Sequence, residues 1–380
     1  MDTTPDRIPG GAQTNSKRGL PTIAHAASCW VWDTEGRKYL DCVAGLGPVI
    51  LGHDYPEVTA AVGGQLLAGV CYPGPSEEEA AVAETLARLI PCAEQVRFLK
   101  NGADATAAAV RLARAVTGRT HILRCGYHGW QDWCLDAPAV GVPERVRGLC
   151  HAFPYNNLSA LEADILRWYP AAVILEPIVS QAPEMPIAGY LEQVWHLCDF
   201  YETLLLFDEV VTGFRLHLGG AQAYFGVTPD LAAFSKAMGN GFPIAALVGK
   251  ERYMRRLGED VFVSTTFGGD LVGLAAARAT IEVLERKHVP EQLVAFGECA
   301  RQLFLAKRGG TNVTLVGYPA RLLERWADPI AGQRFQVAVR AAGVLALGSY
   351  NFMLAHTEQA DTVLATLAAA WEAGFAAAGG

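Results

Sequence analysis

The sequence is short of charge, of clustered bases and of paired cysteines, and each shortage removes a class of function. Only 18% of its 380 residues are charged, and the net charge is −8. Basic residues are scattered, the densest stretch being Arg252 to Arg256, so no nucleic-acid or anionic-membrane surface is expected. Nine cysteines occur, none in a C-x-x-C pair, and the count is odd. That speaks against a zinc site or a disulfide framework; no metal is expected, and free thiols fit a reducing cytoplasm. No apolar run approaches the ~18 residues that span a bilayer. The opening MDTTPDRIPGGAQTNSKR is polar where a secretory signal would be apolar. A cytoplasmic protein is therefore expected. Apart from the Ala-rich last turns there is no low-complexity tract, and no internal repeat. What the chain does have is apolar residues, 51% of the total, enough for a large core.

Periodicity supplies the architecture. Residues 1–20 read as a flexible arm, and SCWVWDTEGRKYLDCVAG as a hairpin around Thr34-Glu35-Gly36. Ser76 is placed to cap EEEAAVAETLARLI, whose acids sit in the first turn where the helix dipole favours them; Pro91 ends the run. Short apolar runs then alternate with helical ones. Strands are predicted at 96–99, 121–124, 171–177, 204–209, 231–234 and 245–249, with helices at 103–118, 158–169, 189–202 and 271–287. Continuously apolar strands between helices indicate an α/β fold, a large domain with a mostly parallel sheet covered by helices on both faces. After about residue 288 the pattern loosens, with strands expected in 311–318 and 344–355 and a terminal helix over 358–378. The expected organisation is an arm and hairpin (1–45) that joins a smaller α+β domain (288–380), so that both termini build it, around a large domain (46–287).

In such a sheet, ligands bind beyond the carboxyl ends of the strands. Four strand ends carry chemistry. After VRFL comes Lys100-Asn101-Gly102-Ala103-Asp104 and a helix, a turn whose free amides suit a phosphate, although many such turns contain glycine for structural reasons. After HILR comes Cys125-Gly126-Tyr127-His128-Gly129-Trp130; Tyr127 suits stacking on a planar ring, or packing within the loop. Asp208 and Glu209 end an apolar strand, where a carboxylate needs a partner: a protonated ring nitrogen, a metal, or a loop it caps. Ser235-Lys236 follows LAAF inside a glycine-bearing loop. A buried lysine loses its proton readily and suits Schiff-base chemistry; the ordinary alternative is a lysine that snorkels to solvent. Together the four, in this order, match an aldehyde cofactor with a phosphate, a ring face, a ring nitrogen and a reactive carbon.

The segments IPGGAQTNSK (8–17), FLKNGADATAAAVRLARAVTGR (98–119), CGYHGW (125–130), FDEVVTGFRLHLGGAQAYFGVTPDLAAFSKAMGNGFPIAALVG (207–249) and STTFGGD (264–270) resemble class III aminotransferases of the fold-type I pyridoxal-phosphate enzymes, above all those similar to glutamate-1-semialdehyde aminomutase. The resemblance implies pyridoxal 5'-phosphate as cofactor. It implies that Lys236 forms the Schiff base and then shuttles a proton, that Asp208 pairs with the ring nitrogen, and that Tyr127 and Val210 cover the two ring faces. Asn101, Gly102 and Ala103 would hold the phosphate, and Thr266 would reach the phosphate of a neighbouring subunit, so a homodimer with shared sites is expected. Glu176, Glu209 and His128 are supporting candidates, and Trp130 and Trp133 substrate candidates. The aminomutases usually carry Ser-Gly-Thr where this chain has Asn101-Gly102-Ala103, a longer lid after the Tyr127 loop, and Ser-Gly-Asn where it has Gly268-Gly269-Asp270. These departures leave the cofactor reading intact and weaken the aminomutase one. The expected reaction moves an amino group from an amino acid, glutamate first, to a carbonyl acceptor, with a keto- or aldehydo-sugar or cyclitol of secondary metabolism as the candidate. The alternatives are an internal aminomutase or epimerase reaction and, with less support, an inactive binding homologue.

Overall fold

The computed structural model describes residues 7–135 and 139–379. The first six residues of the expected arm lie outside this range; residues 9–11 and 15–17 form single turns exposed to solvent. Three strands follow, β1 (Ile23–Ala27), β2 (Trp30–Asp33) and β3 (Lys38–Asp41), in an antiparallel meander.

The centre of the molecule is a seven-stranded sheet. Its strands are β4 (Gln95–Leu99), β5 (Ile122–Cys125), β6 (Cys150–Ala152), β7 (Ala172–Leu175), β8 (Leu204–Asp208), β9 (Leu231–Phe234) and β10 (Ala245–Gly249), in the order β4-β10-β9-β8-β7-β5-β6. Strands β5 to β9 pair in parallel; β10 runs antiparallel to both β9 and β4, which leaves β4 parallel to the rest. Side chains alternate across a strand, and here the alternation sorts residues into two cores. Leu123, Val173, Leu205, Phe207, Phe234 and Ala246 enter one, while Ile122, Ile174, Leu206, Ala233 and Leu247 enter the other. Both faces are buried, which is why the strands read as unbroken apolar runs.

The helices begin and end where local chemistry dictates. Ser76 accepts a hydrogen bond from the Glu79 amide at 3.2 Å and caps Glu77–Leu89, whose first turn holds three glutamates. Helix Gly102–Thr117 closes on Gly118 at φ 69°, a conformation that favours glycine. Among the described residues no helix is long and apolar enough to cross a membrane.

The C-terminal part contributes β11 (Val313–Tyr318), β12 (Arg321–Trp326), β13 (Val344–Leu345) and β14 (Ser349–Asn351). Strand β13 adds in parallel to β3, so residues 23–41 and 344–345 share one sheet. Strands β11, β12 and β14 form a separate antiparallel sheet. Helix Val289–Lys307 and helix Pro329–Ala341, together with β12, lie outside the elements that periodicity predicts. Strand β12 reads RLLERW, and its inward Glu324 breaks the apolar run. Glu324 accepts hydrogen bonds from Tyr350 Oη (2.6 Å), Trp326 Nε1 (2.8 Å) and Gln336 Nε2 (2.7 Å), and of these Tyr350 and Gln336 lie too far along the chain to show in a local pattern.

Candidate active site

The parallel strands deliver their carboxyl ends to one edge of the sheet. Asp208 lies beside Ala233 in the β8–β9 register, and Cys125 beside Leu175 in β5–β7. The loops leaving β4, β5, β7, β8 and β9 thus surround one cavity of about 340 Å³. Asn101, Gly102 and Ala103 line one side, Tyr127, His128 and Trp130 another, and Glu176, Asp208, Val210 and Lys236 the floor. Ten residues picked out in the sequence therefore meet around one space.

Lys236 opens the loop after β9 with φ at +40°, a left-handed conformation that costs a non-glycine residue energy. Burial lowers its pKa, the nearby Arg321 charge lowers it further, and Glu176 and Asp208 oppose the shift. Its amine makes no hydrogen bond or ion pair with any described residue. A buried, unpaired amine biased toward its neutral form is a nucleophile.

Asp208 is held at both oxygens. One accepts from His128 Nδ1 at 2.8 Å and the other from the Val210 amide at 3.1 Å. The His128 ring is stacked over Trp133, with centroids 6.1 Å apart and planes within 16°, and its Nε2 is buried without a partner. Glu176 accepts from the amides of Tyr127 (2.9 Å) and Ser180 (3.2 Å). Burial, and then the Asp208 charge, push the Glu176 pKa up. Gly126, at φ +114°, is obligatory here, because a Cβ would lie 2.4 Å from the Glu176 carboxylate.

The phosphate turn is braced rather than open at Asn101. Asn101 donates from its amide (3.1 Å) and from Nδ2 (3.0 Å) to Asp104, so its side chain stabilises the turn and does not aim a free amide at the cavity. The amides of Gly102 and Ala103 are not used by the helix's own hydrogen bonds and remain as anion donors, whereas those of Asp104 and Ala105 donate to the Asn101 carbonyl. Gly102 must be glycine: a Cβ would come within 2.6 Å of Val210, which pins Val210 over the turn.

Three residues lie elsewhere. Trp133 is buried beneath His128 and does not line the cavity, so it supports the imidazole instead of touching substrate. Glu209 alternates away from Asp208 and accepts from the Ala221 (2.5 Å) and Gln222 (3.1 Å) amides and from Thr212 Oγ1 (2.9 Å). It shapes the 212–222 loop, not the site. Thr266 is exposed and outside this chain's cavity.

Lys100 also lines the cavity, although its sequence context alone gives it no role there. It ion-pairs with Asp270 and donates to the Pro243 carbonyl at 2.9 Å. Burial pushes its pKa down to about 8, against the pull of the Asp270 carboxylate in contact with it, which favours the charged form. One signal does mark it: like Lys236, it follows an apolar strand.

The floor of the cavity fits pyridoxal phosphate. A lysine whose pKa burial lowers, a doubly held carboxylate and a glycine turn at a helix N-terminus face one another across a volume suited to one small ring and its phosphate. Comparison with known proteins agrees. The family model described as Aminotransferase class-III matches residues 12–307. A 3-aminobutyryl-CoA aminotransferase of Cloacimonas acidaminovorans is 41% identical over 303 residues, covering 78% of this chain and 73% of that protein. A glutamate-1-semialdehyde 2,1-aminomutase of Syntrophobacter fumaroxidans is 38% identical over 313 residues, covering 75% and 72%. The structure of the FumI protein of Sphingopyxis sp. MTA144 in its pyridoxal-phosphate form superposes with a TM-score of 0.91 at 29% identity, covering 98% of this chain and 93% of that one.

Proposed function

The chain belongs to the class III aminotransferases, which depend on pyridoxal phosphate, and on that premise we propose that it transfers an amino group from an amino-acid donor, glutamate first, to the carbonyl of a keto- or aldehydo-sugar or cyclitol. The observation that carries the transfer chemistry is the half-buried Lys236, which has no partner among the described residues and shares the cavity with Glu176 and Asp208. When bound, pyridoxal phosphate supplies an aldehyde carbon and an electron-accepting ring. Lys236 would hold the cofactor through that carbon, and its amine would take up and return the proton of the substrate carbon. Asp208, oriented by His128 and the Val210 amide, offers a carboxylate to the ring nitrogen. Val210 and Tyr127 line the cavity, Tyr127 with half of its surface open, and would cover the two ring faces. The first amides of helix Gly102–Thr117 would take the phosphate.

The sugar-like acceptor rests on Trp130. Its side chain lies at the cavity with 73% of its surface exposed, and a free indole face suits the C–H surface of a sugar ring. A homodimer rests on the surroundings of Thr266. Val70, Tyr72, Phe262 and Phe267 are exposed in the same region, tied to it by the Leu271 amide donating to the Val70 carbonyl at 2.9 Å. A cluster of this kind is covered by a partner more often than by water.

The test is spectroscopic. Protein loaded with cofactor should show a visible band reducible by borohydride. Glutamate should discharge that band and release one equivalent of 2-oxoglutarate. A protein that carries the band but reacts with no amino donor would favour an internal aminomutase or epimerase reaction; one without the band would refute the reading.

A further inference from the structure

The Lys236 amine has no partner among the described residues, so no polar contact aims it. Its direction comes from the turn that the lysine opens and from what its stem lies against. The turn is Lys236–Gly239, and the backbone is left-handed at both of its ends, with φ +40° at Lys236 and +45° at Asn240. Asparagine tolerates that conformation better than most side chains do. The last bond of the turn is weak, because the Asn240 amide reaches the Ala237 carbonyl only at 3.5 Å.

The Asn240 side chain ties the turn down from outside. It is buried, its Oδ1 accepts from the amides of Ile50 (3.0 Å) and Leu51 (2.9 Å), and its Nδ2 donates to the Gly52 carbonyl (3.1 Å). Both lone pairs of the oxygen are thus spent on one stretch of backbone, residues 44–52. A buried polar group this fully used fixes geometry. The stretch is a strap between the lysine loop and the C-terminal part of the chain. On the far side the Ile50 and Leu51 carbonyls accept from the amides of Leu354 (2.8 Å) and Ala355 (3.0 Å). The strap is also strained. Four successive residues, Ala44 to Gly47, are left-handed, with φ from 52° to 102°, and at Ala44 and Leu46 that conformation costs energy. Its strained turn leads to the cavity, which Pro48 lines. The position a Cβ on Gly47 would take lies 3.8 Å from Lys236 Cδ, so the strap runs alongside the lysine stem. Asn240 sets the spacing between that wall and the turn from which the lysine springs.

We infer that Asn240 is a positioning residue for Lys236: by clamping the strap to the lysine turn it fixes the wall along the stem, and with it the direction of the amine. This rests on the aminotransferase reading and deepens it. Asn240 acts on the attachment of the lysine to an aldehyde carbon. It does not act on the seating of the phosphate, which would be held at the start of helix Gly102–Thr117.

The experiment compares two ligands of the cofactor-free protein. Pyridoxal 5'-phosphate carries an aldehyde; pyridoxine 5'-phosphate carries an alcohol in its place and cannot attach to a lysine. The preference for the aldehyde, a ratio of two dissociation constants, reads the alignment of Lys236. Asn240→Gly keeps the left-handed backbone and removes all three side-chain bonds. Its preference should fall about 10-fold, toward that of Lys236→Ala, because small misplacements of a reacting group are costly. Its affinity for pyridoxine 5'-phosphate should stay within about twofold of wild type, the phosphate seat being untouched. Asn240→Asp keeps the acceptor for Ile50 and Leu51, loses the donor to Gly52 and should lose about threefold in preference. Equal weakening of both ligands would make Asn240 a structural residue only and overturn the inference, as would an unchanged preference in both variants. If Asn240→Gly does not fold, Asn240→Asp decides alone: a lowered preference supports the inference and an unchanged one overturns it. Failure of the aminotransferase reading looks different, since the preference would depend on Asn240 as expected and yet no amino donor would discharge the visible band. A wild-type protein without any preference for the aldehyde would overturn both.

Discussion

Lys100 and Lys236 each follow a strand of the same sheet, enter the same cavity and are partly buried, yet they differ in their counterions. Lys100 sits against the carboxylate of Asp270, which also caps helix Leu271–Arg286 by accepting from the Gly273 amide at 3.1 Å. Lys236 has no partner among the described residues; it feels acids at a distance and two arginines that repel its proton. A lysine at a strand end is therefore not in itself a nucleophile. The deciding factor is whether the fold brings a counterion into contact, and Asp270 is far from Lys100 in sequence. Substitutions that remove or restore those contacts break the comparison in graded steps.

The largest effect belongs to Lys236. Lys236→Ala should abolish the borohydride-reducible band and lower kcat by about 10³-fold or more, since attachment and proton transfer are lost together. Lys100→Ala should keep the band. If the two variants lose it equally, the distinction between them fails. Asp208→Asn comes next. It leaves the hydrogen bonds from His128 and Val210 a weaker acceptor and removes the charge offered to the ring nitrogen, so kcat should fall by about 10²-fold. The measurement is single-turnover discharge of the band by glutamate, which separates this loss from weaker cofactor binding.

Both of these residues are legible in the sequence, because each stands where an apolar strand run stops and a loop begins. Asp208 closes LLLF and Lys236 follows LAAF, and a charged group at the end of a strand buried on both faces has no structural excuse. The phosphate turn is legible for the same reason. What sequence does not show is pairing. Trp133 and Trp130 are near neighbours with identical side chains, yet one lies under His128 and the other in solvent at the cavity. Asp208 and Glu209 are adjacent acids that alternate onto different sides and serve different loops. Glu324, in the strand RLLERW, reads as surface, yet it accepts from Gln336 and Tyr350, which approach from distant segments. Local pattern reports burial; it does not report which buried group meets which.

Lys100→Met should act on stability more than on catalysis. Removing the ammonium leaves the Asp270 carboxylate, 13% exposed, without its cation, although still bonded to the Gly273 amide. A loss of about 1–3 kcal/mol is expected, read as a lower melting temperature, with kcat within about threefold of wild type. The double variant Lys100→Met, Asp270→Asn should recover part of the loss, because the stranded charge is gone. A catalytic defect as deep as that of Asp208→Asn would mean that Lys100 takes part in the chemistry after all.

The smallest effect is a dependence on pH, and its sign follows from burial. In the unfolded chain the Lys236 amine holds its proton up to about pH 10.4. In the folded, cofactor-free protein it gives the proton up at a lower pH, chiefly because burial penalises the ammonium. Between the lowered value and about 10.4 the unfolded state binds more protons, so stability rises with pH in that window. Below the window both states are protonated, and the folded state bears the full cost of the buried cation. Lys236→Met carries no such cost. Cofactor-free Lys236→Met should therefore melt above cofactor-free wild type near neutrality, and the gap should narrow as pH climbs toward 10. Lys100→Met serves as the contrast, because its loss of an ion pair places it below wild type at neutral pH. A gap between Lys236→Met and wild type that stays constant from pH 7 to 10 would show that the amine titrates normally, and the two lysines would then differ in position alone.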